Sequence, residues 1–220
     1  VTVSRLFSDP HRRLQDRFDS RTLADTLELT IVQPHLDEEA IAFIEARPFF
    51  FLSTVNAEGQ PTVSHKGGAA GFVRVPEPTT LLFPSYDGNG MYLSMGNIAT
   101  NPNIGLLFID FERPHRVRVH ATAELLDDEV LVSLFPGADL VVRATVSEAF
   151  VNCPRYITTY GESRPSRYLP DTAGEAPMPA WKRIDLLQGV LPERFQGRAE
   201  AEGGTISVEE YAERLAAGDG

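Results

Sequence analysis

Phe49-Phe50-Phe51-Leu52-Ser53-Thr54-Val55, Asn56-Ala57-Glu58-Gly59 and Gln60 to Lys66 read as an apolar strand, a turn and a returning strand. The turn segment ends in glycine, as a tight reversal favours. Two glycine-rich polar loops follow, Ser64-His65-Lys66-Gly67-Gly68 and Tyr86-Asp87-Gly88-Asn89-Gly90. Each sits at the end of an apolar strand and exposes backbone N–H groups that no bulky side chain covers. Such loops cradle anions. By composition alone the same glycines serve equally well as turn glycines.

The pattern extends in both directions. Thr79 to Phe83 is a further strand, and Met91 to Ser94 lead into a short helix ending at Asn101-Pro102. Ile104 to Phe111 is continuously apolar, which predicts a strand buried on both faces. From Arg116 to Glu124 residues alternate strictly, with Arg116, Arg118 and His120 on one face and Val117, Val119 and Ala121 on the other. Asp127 to Leu134 reads as a short helix and Leu140 to Val151 as a long strand. Before the first strand, Asp9-Pro10 opens one or two amphipathic helices to about residue 32, and Asp37 caps another that stops before Pro48. About six strands joined by hairpins and short helices predict a mainly β, α+β protein built on an antiparallel barrel with peripheral helices. The expected organisation is a helical extension over 1–36, a barrel domain over 37–160 and a loop-and-helix extension over 161–220 that packs on the barrel. Within that extension Trp181 to Leu191 suggests a helix, Gly197 to Gly204 a mobile segment, and Ser207 to Glu210 a capping box opening the last helix.

Composition narrows the function. The chain has 220 residues, 42% of them hydrophobic, enough for a proper core. Its net charge of −11 opposes general binding to nucleic acid or an anionic membrane. No apolar run is long enough for a transmembrane helix, and the N-terminal stretch lacks the apolar block of a signal peptide, so a cytoplasmic protein is expected. Cys153, the single cysteine, excludes an intrachain disulfide and reads as a small buried residue. His115 and His120 are five apart on or beside a strand, a poor metal pair, and no metal site is expected. Lysine occurs only at positions 66 and 182, so Lys66 inside a glycine-rich loop stands out.

The ordered set Gly59-Gln60-Pro61, Ser64 to Gly68, Gly71-Phe72, Asp87 to Gly90, Ser94-Met95-Gly96-Asn97, Asn101-Pro102, Gly105 to Asp110, Arg116 to Arg118 and Asn152 to Tyr156 resembles the pyridoxamine 5′-phosphate oxidase-related FMN-binding family. The resemblance implies a split β-barrel and a homodimer with FMN at the subunit interface. It places Ser64, His65, Lys66 and Gly67 along the isoalloxazine and ribityl chain, and Pro84 and Ser85 near the flavin. It puts Asn89 and Ser94 in the phosphate region and brings Arg116 from a neighbouring strand or subunit. Asn152 to Tyr156 would close over the flavin or the interface. Where the family's namesake oxidases carry an arginine on the second strand and an Arg-Lys pair at the phosphate loop, this chain has Ser64 and the Asn89 to Ser94 region. Oxidation of pyridoxamine phosphate is therefore not expected. The resemblance implies an FMN-dependent oxidoreductase acting on another small-molecule substrate, and no catalytic residue is singled out. A deazaflavin (F420) or haem in the same fold, or a non-catalytic flavin-binding module, are the alternatives.

Overall fold

A computed structural model describes residues 4, 6–152, 157–161 and 168–216. Cys153 and the segment Pro154 to Tyr156, for which a structural or lid role was expected, lie outside the described residues. The chain divides into two compact units, Val1–Arg164 and Pro165–Gly220.

The first unit opens with α1 (Asp9–Arg17) and α2 (Arg21–Ile31). Asp19, at φ +51°, breaks the helical run between them. Arg12 of α1 meets Asp25 of α2 at 2.5 Å. Neither helix buries a residue, and Phe18, Leu23 and Leu29 stand largely exposed. In α3 (Glu38–Glu45) the Asp37 carboxylate caps the first turn by accepting the Ala40 N–H at 2.8 Å. Its Ala40 and Ile44 join the barrel core.

The barrel strands are β1 (Phe49–Val55), β2 (Pro61–Gly67), β3 (Arg74–Glu77), β4 (Thr80–Tyr86), β5 (Asn103–Asp110), β6 (His115–Leu126) and β7 (Ala138–Val151). Helix α4 (Leu93–Thr100) precedes β5, and α5 (Glu129–Ser133) precedes β7. The strands form one seven-stranded antiparallel sheet in the order β2-β1-β5-β6-β7-β4-β3. The barrel expectation holds as an open sheet: β2 and β3 are its two unjoined edges. The short edge strand β3 has no counterpart in the sequence reading, because four residues are too few to show an alternating pattern. In the β1–β2 turn the Asn56 side chain accepts the Glu58 and Gln60 amides, and Gly59 takes φ +82°.

Alternation sorts the core. Phe50 and Leu52 of β1, Leu81 and Phe83 of β4, Leu106 and Phe108 of β5, Val117 and Val119 of β6 and Val142 and Ala144 of β7 are buried together. Phe50 packs against Phe83 and Phe108, each at 5.1 Å between ring centroids. Each such side chain contributes roughly 1.5–3 kcal/mol by its burial. The expectation that β5 is buried on both faces holds only near its end, where Phe108 and Ile109 are both buried. Gly105 and Leu107 are half-exposed because they belong to the sheet's other face. There, His65, Phe51, Leu107, Arg118 and Phe150 form one row across five paired strands.

The second unit departs from its sequence reading in two places. The segment expected as a helix from Trp181 to Leu191 forms two short 3-10 helices, Ala180–Arg183 and Asp185–Val190. Between them Ile184 bridges to Ile206, and the Gln188 amide donates to the Lys182 and Ile184 carbonyls, which divert that backbone from an α-helical ladder. The segment from Gly197 to Gly204, expected to be mobile, contains α6 (Arg198–Ala201) with Ala199 buried, and Arg183 donates to the carbonyls of Gly203 and Gly204. The last helix, α7 (Val208–Ala216), starts as expected, with the Ser207 hydroxyl accepting the Glu210 N–H at 3.1 Å.

Candidate cofactor site

The edge position of β2 leaves one of its sides without a partner strand. Across that gap lie the end of β4, the loop after it and the start of α4. Together they enclose a cavity of about 380 Å³, within the range of small-molecule sites. Of the residues expected to hold a cofactor, Ser64, His65, Lys66, Ser85, Asn89 and Ser94 border it. Gly88 and Gly90, from the second glycine-rich loop, border it too.

Strand alternation divides the β2 residues. Ser64 and Lys66 share the face of β2 turned toward the core side, and His65 points to the other. The Ser64 and Ser94 hydroxyls share a hydrogen bond of 2.9 Å, which ties β2 to the first turn of α4. The Lys66 ammonium has no carboxylate or hydrogen-bond partner among the described residues. Burial pushes its pKa below the ordinary lysine value, because the charged form loses hydration that nothing replaces. The His65 ring stacks on Phe49 at 5.2 Å and meets Phe51 edge-on. Gly67 does not border the cavity, but a Cβ there would come within 3.0 Å of the His65 ring, so glycine gives that ring its room.

Ser85 is only 8% exposed and borders the cavity, and its hydroxyl makes no hydrogen bond among the described residues. Beside it, burial pushes the Tyr86 hydroxyl above the ordinary tyrosine pKa, so it remains a protonated donor. Asn89 turns its side chain back on the loop, its Oδ1 accepting the Met91 N–H at 3.1 Å. Behind Ser94, buried Asn97 donates to Thr54 at 3.0 Å and locks α4 against β1.

Pro84 and Arg116 do not border the cavity. Pro84 lies one residue short of it on β4, paired with Val141. Arg116 pairs with Ile109 and sits on the same face of β6 as Arg118. The cavity also takes in Met91, Tyr92, Leu93 and Met95, none of which was expected to hold the cofactor. The signal that could have found Tyr92 and Leu93 is positional: they connect a glycine-rich loop to a helix whose first turn already held Ser94. The histidines sit apart, His115 edge-on to Phe43 and His120 3.5 Å from Glu148. Among the described residues no group of three or more His, Cys, Asp or Glu side chains could hold a metal. No helix among them is long and apolar enough to cross a membrane.

Residues 36–151, more than half of the chain, match the family model for pyridoxamine 5′-phosphate oxidase, and the chain belongs to that family. No protein of curated function matches it at a significant level. Among solved structures it is similar to a candidate pyridoxamine 5′-phosphate oxidase of Lactobacillus delbrueckii, at 30% identity, covering 54% of this chain and 95% of that one, with a TM-score of 0.43. The heme storage protein HutZ of Vibrio cholerae is 20% identical, with coverages of 53% and 94% and a TM-score of 0.38. An FMN-binding protein of Syntrophomonas wolfei is 11% identical, with coverages of 64% and 97% and a TM-score of 0.40. At TM-scores this low, none of these likenesses carries a function across.

Proposed function

We propose that this chain binds FMN in the cavity between β2, β4 and α4 and acts as an FMN-dependent oxidoreductase on a small organic substrate, as a homodimer. The observation that carries this reading is Lys66, a half-buried cation with no anionic partner among the described residues, facing a cavity that Ser85 also borders, its hydroxyl without a hydrogen-bond partner among the described residues. A buried charge without a counter-charge is costly, and an anionic ligand removes the cost. The FMN phosphate carries about 1.5 to 2 negative charges near neutral pH, as a phosphoserine does. The first amides of α4 add donors and a favourable dipole at the same place. With a net charge of −11 the protein as a whole repels such an anion, so its capture depends on this local arrangement.

When bound, FMN supplies hydride and single-electron transfer. The protein's part is to hold and orient it. Lys66 and the hydroxyls of Ser64, Ser85 and Ser94 are the polar groups for that purpose. The Arg-Lys pair of the namesake oxidases has no equivalent at Asn89 to Ser94, and the substrate is accordingly assigned to another class of small molecule than pyridoxamine phosphate. The homodimer reading is supported by the outer sheet face, where Val63 is 67% exposed beside half-buried Phe51, Leu107 and Phe150.

The test is the absorption spectrum of the purified protein, followed by mass spectrometry of what denaturation releases. FMN released in near-stoichiometric amount, and bleached by NADH, NADPH or another reductant in stopped flow, is the expected result. A colourless protein that takes up no added FMN, a haem Soret band, or the spectrum of a deazaflavin would refute the assignment. FMN that no reductant bleaches would reduce the chain to a binding module. Light scattering at micromolar concentration is expected to show twice the mass of one chain, and a monomer would count against a shared flavin site.

A further inference from the structure

Tyr92 is the one cavity residue other than glycine with a left-handed backbone among the described residues, at φ +48°. It is also the N-cap of α4, and its C=O accepts the Gly96 N–H at 2.7 Å. An N-cap is normally Ser, Thr, Asp or Asn, whose side chain accepts the second or third amide of the helix. Tyr92 makes no such bond. Its phenol points away and donates to the Asp139 carboxylate, at the start of β7, at 2.7 Å. The conformation is unfavourable for a tyrosine, and the tether to β7 holds it. Two consequences follow. No cap side chain from Tyr92 occupies the amides of Ser94 and Met95, both cavity residues. The phenol's bond also links the helix start to β7.

We infer that Tyr92, held by Asp139, is a positioning residue that aims the uncapped N-terminus of α4 at the phosphate of the bound flavin. A second, independent sign of a ligand at this spot is Ser85, a buried residue of the cavity wall whose hydroxyl has no hydrogen-bond partner among the described residues. The inference rests on the FMN reading above. It assigns discrimination between phosphorylated and unphosphorylated flavin to a residue pair, one member of which, Asp139, does not border the cavity.

The experiment measures the affinities of the apoprotein for FMN and for riboflavin, which lacks the phosphate. In Tyr92→Phe the FMN-to-riboflavin affinity ratio is expected to fall about fivefold to tenfold, the effect of one net hydrogen bond. Asp139→Ala should lower the ratio at least as much, and the double variant no further than Asp139→Ala alone, because both break the same bond. Tyr92→Gly, which tolerates the left-handed backbone and brings neither tether nor capping side chain, should behave like Tyr92→Phe and serves where that variant folds poorly. An unchanged ratio, or additive losses in the double variant, overturns the positioning role while leaving the FMN site standing. Failure of the unaltered protein to bind either flavin overturns both.

Discussion

Replacing Lys66 with methionine separates a binding lysine from a decorative one, because the two roles move stability in opposite directions. Methionine keeps the length and apolar stem of lysine and removes the charge. In the apoprotein the ammonium is half-buried, has no partner among the described residues and is pushed toward neutrality by desolvation. Its removal therefore costs no ion pair and relieves a hydration penalty, so the apoprotein of Lys66→Met should melt at the same temperature or higher. In the complex the same change deletes a charge-assisted bond to an anion, which contributes about 1.5–3 kcal/mol. That corresponds to roughly a 10-fold to 150-fold rise in the FMN dissociation constant, at about 1.4 kcal/mol per factor of ten. Flavin fluorescence titration reads the affinity, and circular dichroism melting of flavin-free protein reads the stability. The pH dependence is a third readout. Binding an anion raises the Lys66 pKa again, so affinity in the unaltered protein should fall as pH rises through the lowered pKa, and Lys66→Met should lose that limb. Unchanged FMN affinity, or an apoprotein clearly less stable than the parent, would refute the reasoning.

Other outcomes follow from the barrel. A Cβ at position 68 would lie 2.2 Å from Cγ of Phe72, a buried core ring, so Gly68→Ala should destabilise the fold by about 1–3 kcal/mol, read as a lower denaturant midpoint. An unchanged midpoint would mean that the Phe72 ring shifts freely. Asp110 is pulled two ways. Burial raises its pKa, but the Arg113 and Glu112 amides and the Arg47 guanidinium outweigh burial and hold it below the ordinary 3.8. A carboxyl with a lowered folded pKa contributes stability that is present above its unfolded pKa and lost as pH falls through the folded one. Acid titration of the unaltered protein should therefore show a stability loss beginning near pH 4 and continuing below it, and Asp110→Asn should flatten that slope. Equal slopes in the two proteins would remove Asp110 from the account.

The strands that face the core on one side were legible because burial imposes a two-residue period. Phe50, Leu52 and Thr54 in β1 and Val117, Val119 and Ala121 in β6 show it directly. The Asp37 and Ser207 caps were legible because a cap is a local event between residues three apart. β3 was not, because four residues are too few to show a period, nor were the two 3-10 helices of the second unit, whose form depends on partners distant in sequence, as Ile184 depends on Ile206. The apolar periodicity of α1 and α2 predicted helices correctly but could not say that no core would receive them.

The candidate site divides along the same line. Composition and order alone determined that Lys66 is one of two lysines, that it stands beside glycines, and that serines lie near it and near the later glycine-rich loop; the segment Ser64 to Gly67, expected as a loop, is part of strand β2. Only the tertiary structure decided which of them meet. Strand alternation turns Ser64 and Lys66 to one face and His65 to the other. The open sheet edge carries β2 to within hydrogen-bonding distance of Ser94, 30 residues further along the chain. Burial, which makes the unpartnered Lys66 costly, is a property of the assembled barrel. A sequence lists the donors, but distance and desolvation give them their strength, and both arise only when the chain closes around them.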